Sequence, residues 1–353
     1  MAVYINSVGS ISSQKTFDNS EFLDEITIYN DNVITVIDPN YKDFIPPAAA
    51  RRMAKGVKMG VVASKIAMNE AGLENVDAII TGTGMGCVLD SEKFVSAILD
   101  NDEQYLTPTS FIQSTHNTVG GQIALGLQCK GYNFTYVHSS ISFESALLDA
   151  KLQLENQEAA HILVGGIDES GEHTINIHRL IDHIKEEKVI TTSLINSKTT
   201  GAVFSEGANF FVLSNKKLDS GYAELLAVNT YNTLPKENIQ EAVKAFLKEN
   251  GLGNTDIDVL ILGCNGDAVY DTFYDPLRKD LFKDTQQVYY KHLCGEFNTA
   301  SSFGMWLGAK ILNTQKIPDI VKLNSIKSSV LNKILLYNQY RGENHSFTLL
   351  QKC

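Results

Sequence analysis

Residues 69–86 read NEAGLENVDAIITGTGMG, and residues 249–267 read ENGLGNTDIDVLILGCNGD. Each stretch ends a helix at Gly-Leu, crosses a short polar link to an aspartate, and continues as an apolar strand that stops at a glycine-containing turn. A glycine directly after a helix is typical of a C-cap. Continuous apolar runs such as IITG and LILG are typical of strands covered on both faces. The same helix–strand unit in both parts of the chain therefore predicts a duplicated α/β fold.

The rest of the sequence has the same alternating character. An apolar helical pattern precedes each repeat, in KMGVVASKIAMNEAGL and in IQEAVKAFLKENGL. Further short apolar runs are typical of buried strands, namely VYINSV, NFTYVH, HILVGG and ANFFVLS. We find no low-complexity linker. The sequence therefore predicts two similar halves, residues 1–205 and 206–353, that meet near residues 205–216 without a flexible joint.

The composition of the chain excludes several classes of protein. With 353 residues, of which 43% are hydrophobic, the chain can bury a large core. A net charge of −11 without a dense run of Lys or Arg argues against a nucleic-acid partner. We see no signal-peptide pattern and no apolar run of membrane-spanning length, so we expect no membrane association. Five scattered cysteines without metal-type pairs are typical of reduced thiols, so we expect a cytoplasmic protein without a metal or another cofactor.

A series of motifs follows in chain order: VYINSVGSIS, GLENVDAIITGTGMG, FIQSTHNTVGGQIAL, the turn around Ser140, ILVGGIDE, TTGAVFSEGANFFVLS, ILGCNGD, KHLCGEFNTASSFG and YNQYRGENHSF. In this order they resemble the β-ketoacyl-acyl-carrier-protein synthase family over nearly the whole chain. The most specific motif is SEGANFFVLS, which is similar to the family's GEGAG strand and keeps Glu206 and Gly207. The Gly165-Gly166 pair is the next most specific. The resemblance implies the thiolase fold, an α/β fold with two duplicated halves in a five-layer αβαβα arrangement that works as a dimer.

At the three positions that the resemblance assigns to the family's catalytic residues, this chain has residue types that differ from those of the family. The family's cysteine precedes the Gly-Gly pair by a fixed interval, and the same interval here leads back to Ser140. The first family histidine follows the second-half strand, where Asn265 stands in this chain. The second family histidine lies in a K-x-x-x-G-H turn, in which Lys291 and Gly295 match and Glu296 takes the place of the histidine.

These replacements remove what condensation needs. A condensing synthase uses an ionised thiol as nucleophile, and a serine hydroxyl is far less acidic and requires a positioned base. Decarboxylation of the extender builds enolate charge, which Asn265 could stabilise with a hydrogen bond but an ionised Glu296 would repel. Each lost donor typically lowers the rate by on the order of 10²–10³. We therefore expect little condensation, as in the chain-length factors of this family, which pair with an active synthase.

Two other interpretations stay open. The chain could be an acyltransferase with a rebuilt site, in which Glu296 acts as the base for Ser140, although such a pair needs a third, orienting group. It could also be an active condensing β-ketoacyl synthase whose catalytic residues are assigned here in the wrong register. In that case Cys264, Cys294 or a nearby histidine such as His292 would carry the chemistry.

Two further segments have possible roles. The residues Tyr340, Gly342 and Asn344 lie in YRGEN, which resembles the family's gating loop GFGGTN with two glycines replaced. The resemblance implies a stiffer loop and a narrowed or closed acyl tunnel. The compact basic cluster consists of Arg51, Arg52, Lys55 and Lys58. This basic cluster is either a solvated helix face or a docking site for an acidic acyl carrier protein, since opposite charges steer encounter.

The resemblance also implies partners. We expect an acyl carrier protein and a catalytic ketosynthase, in a heterodimer or alternatively a homodimer, with the strand NFTYVHS at the two-fold axis. The pair would elongate a fatty-acid-like, polyketide or aryl-polyene chain. His173, His178 and His183 are spaced five residues apart, a spacing that does not bring side chains onto one helix face. We therefore interpret this segment as polar surface and not as a metal site.

Overall fold

The computed structural model describes residues 1–327 and 330–353. The strands of the first half are β1 (Tyr4–Ile11), β2 (Ala78–Gly82), β3 (Tyr132–Tyr136), β4 (His161–Asp168) and β5 (Gly207–Ser214). Those of the second half are β6 (Ala223–Tyr231), β7 (Val259–Leu262), β8 (Gln286–Tyr289), β9 (Lys333–Tyr340) and β10 (Asn344–Gln351). The α-helices are α1 (Pro47–Ala50), α2 (Lys55–Ala71), α3 (Val88–Asp100), α4 (Pro108–Ser114), α5 (Thr118–Leu127), α6 (Ser142–Glu155), α7 (Glu172–Leu180), α8 (Ile239–Glu249), α9 (Lys291–Cys294) and α10 (Ser301–Thr314).

The strand order repeats between the two halves. The ten strands form one mixed sheet in the order β3-β2-β4-β5-β1-β6-β10-β9-β7-β8. In the first half β2 runs parallel to β3 and β4, and β5 runs antiparallel to β4 and β1. In the second half β7 runs parallel to β8 and β9, and β10 runs antiparallel to β9 and β6. The halves join where Tyr4 and Ile5 pair with Glu224 and Ala223. The predicted duplication is thus confirmed.

Alternation along the strands separates the core into layers, because successive side chains point to opposite faces. On β4, Ile162 belongs to a central cluster that also contains apolar residues of α6 and α10, whereas Leu163 belongs to an outer cluster with α2 and α5. On β7, Val259 faces the same central cluster, and Leu260 faces a second outer cluster with α8. The two halves of the continuous sheet therefore share the central cluster, and the order of layers is helix, first half-sheet, helix, second half-sheet, helix. The five-layer arrangement is therefore confirmed.

Glycines end the two repeated helices, as the sequence predicts. Gly72 adopts φ 66° and follows α2, with its N–H bonded to the carbonyls of Asn69 and Met68. Gly251 adopts φ 72° just beyond α8, and its N–H is bonded to the carbonyl of Lys248. These left-handed positions favour glycine because a Cβ would be strained there.

The position of β5 bears on where the halves divide. This strand pairs with β1 and β4 of the first half, so the repeated strand order changes halves between Ser214 and Ala223. The division after residue 205 stays a prediction. None of the helices in the described ranges is long and apolar enough to cross a bilayer.

Candidate functional site

Ser140 lies in a single turn of 3₁₀ helix, Ser139–Ile141, that joins β3 to α6. Ser139 adopts φ 50°, an uncommon conformation for a residue with a side chain. The hydroxyl of Ser142 accepts a hydrogen bond from the His138 N–H at 2.7 Å and donates one to the Ser139 carbonyl at 2.7 Å. These bonds hold the turn, and Ser140 is only 2% exposed at the N-terminal end of α6.

The Ser140 hydroxyl has an amide as its neighbour. Nδ2 of Asn344 donates to Ser140 Oγ at 3.1 Å. Among the described residues, no carboxylate or imidazole is hydrogen-bonded to this hydroxyl. A serine without a base stays protonated and is a weak nucleophile.

Lys291, Glu296 and Asn265 meet in a buried hydrogen-bond network. The Lys291 ammonium lies 2.9 Å from Oε1 and 2.8 Å from Oε2 of Glu296. Nδ2 of Asn265 donates to Glu296 Oε2 at 2.6 Å. Lys291 is 1% and Glu296 2% exposed. Both oxygens of the carboxylate are therefore occupied by donors from the protein itself.

The turn that carries Glu296 requires a glycine. Gly295 adopts φ 70°, and a Cβ there would lie 2.4 Å from the Cβ of Ser205. The Glu296 N–H then donates to the Val203 carbonyl at 2.7 Å, and its carbonyl accepts the Ser205 N–H at 2.9 Å. This backbone pairing fixes the direction in which the carboxylate points.

The Asn265 side chain is oriented by its own turn. Its Oδ1 accepts the Asp267 N–H at 3.0 Å, which leaves Nδ2 to face Glu296. The N–H groups of Asn265 and Gly266 donate to the Asp271 carboxylate at 3.0 and 2.8 Å. Burial raises the pKa of Asp271 to about 6. The ammonium of buried Lys185 donates a hydrogen bond to the Gly266 carbonyl at 2.8 Å. The turn is therefore fixed through both its N–H groups and its carbonyl.

A small cavity adjoins Glu296. Its volume is about 40 Å³, and its walls include Asp168, Phe204, Glu296 and Tyr340. A cavity of this size holds a few water molecules, since one water requires roughly 10–15 Å³. Ser140 does not line this cavity.

Cys264 and Cys294, the two cysteines near the second-half turns, lie in the core. Cys264 and Cys294 are both buried, and burial raises the pKa of each thiol well above its ordinary value. His292 stacks on Tyr289 with ring centroids 3.9 Å apart, and burial lowers its pKa to about 3. Its ring is therefore neutral near pH 7, and the thiols stay protonated.

The sequence matches the family model "Beta-ketoacyl synthase, N-terminal domain" over residues 15–218, which is more than half of the chain. The chain belongs to the β-ketoacyl synthase family. The matched region ends between β5 and β6, where the repeated strand order also changes halves.

Solved structures similar to this β-ketoacyl synthase family member cover its whole length. "The ishigamide ketosynthase/chain length factor" matches with a TM-score of 0.81 at 17% identity, over 100% of this chain and 99% of that one. A β-ketoacyl synthase from Burkholderia phymatum STM815 matches at 0.78 and 13%, with coverages of 100% and 99%. The ketosynthase ApeO in complex with its chain length factor ApeC, from Xenorhabdus doucetiae, matches at 0.77 and 14%, with coverages of 100% and 98%. At these identities the likeness establishes the fold. No curated protein matches the sequence.

The segment that resembles the family's gating loop forms the tip of the β9–β10 hairpin. Gly342 adopts φ 71°, and its N–H donates to Gln339 Oε1 at 2.8 Å. The Arg341 guanidinium lies 4.5 Å from the centre of the Tyr270 ring and 3.8 Å from the Asp267 carboxylate. The tip is thus attached to the second half by several contacts.

The histidine segment was interpreted as polar surface; His173 is exposed, whereas His178 and His183 are half-buried and contact each other in spite of their spacing. Nδ1 of His178 lies 3.1 Å from Nδ1 of His183, and the Tyr340 hydroxyl lies 3.2 Å from the same atom of His183. The spacing argument assumed one continuous helix, but α7 ends at Leu180 and the chain reverses at Asp182, which adopts φ 57°. No group of three His, Cys, Asp or Glu side chains suited to a metal ion occurs within residues 1–327 and 330–353.

The members of the basic cluster differ in their surroundings. Arg51 and Arg52 are exposed in the link between α1 and α2. Lys55 begins α2, and its ammonium forms an ion pair with the fully buried Glu206. Lys58 lies 5.8 Å from the centre of the Tyr41 ring. Docking by the four residues stays a prediction, although Lys55 already has a partner inside the protein.

One acidic residue of the site had no role in the sequence argument. The Glu169 carboxylate accepts N–H groups of Gly56 and Leu89, in the first turns of α2 and α3. Burial raises its pKa to about 7. The motif ILVGGIDE, in which Glu169 follows the Gly-Gly pair, was the sequence signal that could have indicated a role for Glu169. It does not indicate contacts with two helices that lie far away in the sequence.

Proposed function

We propose that the chain is a ketosynthase-like subunit of the chain-length-factor type, which pairs with a catalytic β-ketoacyl synthase in the elongation of a fatty-acid-like, polyketide or aryl-polyene chain. The observation that carries the proposal is the buried ion pair of Lys291 and Glu296, a residue that the resemblance assigns to the position of a family histidine. Similar solved structures include assemblies of a ketosynthase with a chain length factor.

The buried pair opposes the chemistry of condensation. An enolate needs donors aimed at the oxygen where negative charge develops. Here the donors of Lys291 and Asn265 point at the Glu296 carboxylate, which already carries that charge. Coulomb repulsion between two buried negative groups is large because the surrounding dielectric constant is low. The site therefore stabilises its own carboxylate in place of a reaction intermediate.

The serine supports the same conclusion. A Ser140–Glu296 acyltransferase pair would need a hydrogen bond from the hydroxyl to the carboxylate. The carboxylate is engaged by Lys291 and Asn265, and the hydroxyl by Asn344. This arrangement favours a protein without acyl transfer of its own.

The exposed sheet edge at β3 favours binding of a partner subunit. The strand β3 is one of the two terminal strands of the sheet and pairs only with β2 in the described part of the chain. Tyr132 and Phe134 are 44% and 45% exposed, and their rings stack with centroids 6.0 Å apart. Unprotected edge strands pair readily with another chain. We propose that this edge meets the catalytic synthase, with a homodimer as the alternative.

The test is co-expression with a β-ketoacyl synthase that carries the family's cysteine and both histidines, encoded beside this chain. We expect one complex in size-exclusion chromatography and product formation only by the pair. Phe134→Arg should split the complex, whereas Leu180→Arg, at an 84% exposed position on α7, is the matched control and should not. A synthase that is fully active alone and never co-elutes would contradict the proposal.

An acyl carrier protein is the other proposed partner. The exposed Arg51 and Arg52 give an acidic protein two cations that no described carboxylate neutralises. Since surface charges act mainly on the encounter rate, the contribution should weaken with salt.

A further inference from the structure

One side of α6 is left partly open to solvent. Its incompletely buried residues include Ser145, Leu148, Asp149 and Leu152, of which Leu152 is 49% exposed. Helical residues three, four and seven positions apart lie on the same side, so these four side chains form one stripe along α6. The α6 stripe is mainly apolar and contains a single carboxylate.

The aromatic ladder of β3 adjoins the α6 stripe. Tyr132, Phe134 and Tyr136 occupy alternate positions of the strand, so their rings lie on the same face. The ring centroids are 6.0 Å apart between Tyr132 and Phe134, and 4.9 Å apart between Phe134 and Tyr136. The Tyr132 hydroxyl donates a hydrogen bond to Asp149 at 3.1 Å. The aromatic ladder and the α6 stripe therefore form one surface at the edge of the sheet.

The Asp149 carboxylate has neutral hydrogen-bond donors and no cation beside it. The Gln153 amide donates to its Oδ1 at 2.9 Å, and the Tyr132 hydroxyl donates to its Oδ2. The neighbouring Lys151 ammonium pairs with Glu155, and no ion pair of Asp149 occurs within the described stretches of the chain. Burial, followed by the charge of Asp149, raises the pKa of Tyr136 to about 12. The field of this carboxylate therefore extends across the aromatic ladder.

A second copy of this chain is a poor partner for such a surface. In an antiparallel two-fold pairing of two β3 strands, the same face of each strand lies on the same side of the joined sheet. Both Asp149 carboxylates would then be enclosed in a largely apolar contact without an ion-pair partner of their own. Burying an unpaired charge is costly, and like charges facing each other across an interface repel. A different subunit that places a Lys or Arg opposite Asp149 removes both penalties.

We propose that Asp149 selects the partner at the β3 edge: it opposes pairing of this chain with itself and requires a Lys or Arg in the catalytic synthase that covers it. The identity of that partner rests on the proposed function. The opposition to self-pairing rests on the contacts of this chain alone. Asp149 is thus the residue that decides between a heterodimer and a homodimer.

The first test uses the isolated full chain. Sedimentation velocity over a concentration series measures the dissociation constant of self-association for the wild type, Asp149→Asn and Asp149→Asn/Phe134→Arg. Glu237→Gln is the matched control, because it removes one negative charge at an exposed position in the second half. We expect Asp149→Asn to tighten self-association at least about tenfold, whereas Glu237→Gln leaves it unchanged. The added Phe134→Arg should cancel the gain, and high salt should strengthen self-association of the wild type more than that of Asp149→Asn.

The second test uses the co-expressed pair. Asp149→Lys should weaken the complex with the catalytic synthase at least about tenfold in a binding titration, whereas Glu237→Lys should not. A pair that tolerates Asp149→Lys would overturn the requirement for a cation in the partner.

The isolated chain also separates this proposal from the proposed function. Self-association of Asp149→Asn no tighter than that of the wild type, or a gain that survives Phe134→Arg, would overturn the selecting role of Asp149. If no synthase binds the wild-type chain, the proposed function fails, and the isolated chain still decides whether Asp149 opposes self-pairing.

Discussion

Replacing Lys291 by methionine removes the ammonium that lies 2.9 and 2.8 Å from the two carboxylate oxygens of Glu296. The residues are 1% and 2% exposed, so water does not replace the lost partner. Asn265 remains as a donor at 2.6 Å, but it carries no charge. Breaking a buried pair from one side typically costs about 3–5 kcal/mol. We expect Lys291→Met to lower the free energy of unfolding by an amount in that range.

The double variant separates the energy of the ion pair itself from the other effects of the two substitutions. In Lys291→Met/Glu296→Gln neither charge is left unpaired, so the loss should be smaller than the sum of the two single losses, by about 2 kcal/mol. Urea unfolding followed by circular dichroism measures each value, with an unchanged slope as the sign of an unchanged transition. Lys279→Met is the matched control, because it breaks the exposed i,i+4 pair with Asp275 and should cost less than about 1 kcal/mol. Additive single effects, or a Lys291→Met loss no larger than that of the control, would refute the reasoning.

Three further predictions concern chemistry, pH and docking. Ser140→Cys alone should not restore condensation, and malonyl decarboxylation measured by CO₂ release should stay at background, because the donors still face Glu296. Burial lowers the pKa of His292 from 6.5 to about 3, so between these pH values the folded chain binds fewer protons than the unfolded chain. The free energy of unfolding should therefore fall as the pH drops from 6.5 towards 3. His292→Phe should make this fall less steep when the unfolding midpoint is measured across an acid titration. The double variant Arg51→Glu/Arg52→Glu should weaken carrier-protein binding measured by calorimetry, and the effect should be larger at low salt. If the affinity is unchanged across a salt series, the two arginines are solvated surface residues without a role in docking.

The fold was accessible from the sequence because its signals are local. The C-cap glycine, the polar link and the apolar strand lie within one short stretch, and the second copy at residues 249–267 removes ambiguity in the first. The assignment of Glu296 to a family position stays a prediction. It rests on the motif around Gly295, a position at which the structure admits no Cβ.

The contacts within the site were not accessible, because they join distant parts of the chain. Nothing near Lys55 indicates an ion pair with Glu206, which lies 151 residues away. The pairing of His178 with His183 depends on where α7 ends, and the sequence around Leu180 carries no Gly or Pro to mark that end. The sequence shows a carboxylate at Glu296, but the hydrogen bonds that Lys291 and Asn265 donate to it could be seen only in the tertiary structure.

The central claim is that this subunit supports a partner's active site without using its own serine. The most direct measurement is the turnover of the co-purified complex with Ser140→Ala in this chain, beside a complex in which the partner's nucleophilic cysteine is replaced by alanine. The account predicts product formation at an unchanged rate in the first complex and none in the second. Loss of product on Ser140→Ala, with the complex still intact in size-exclusion chromatography, would contradict it.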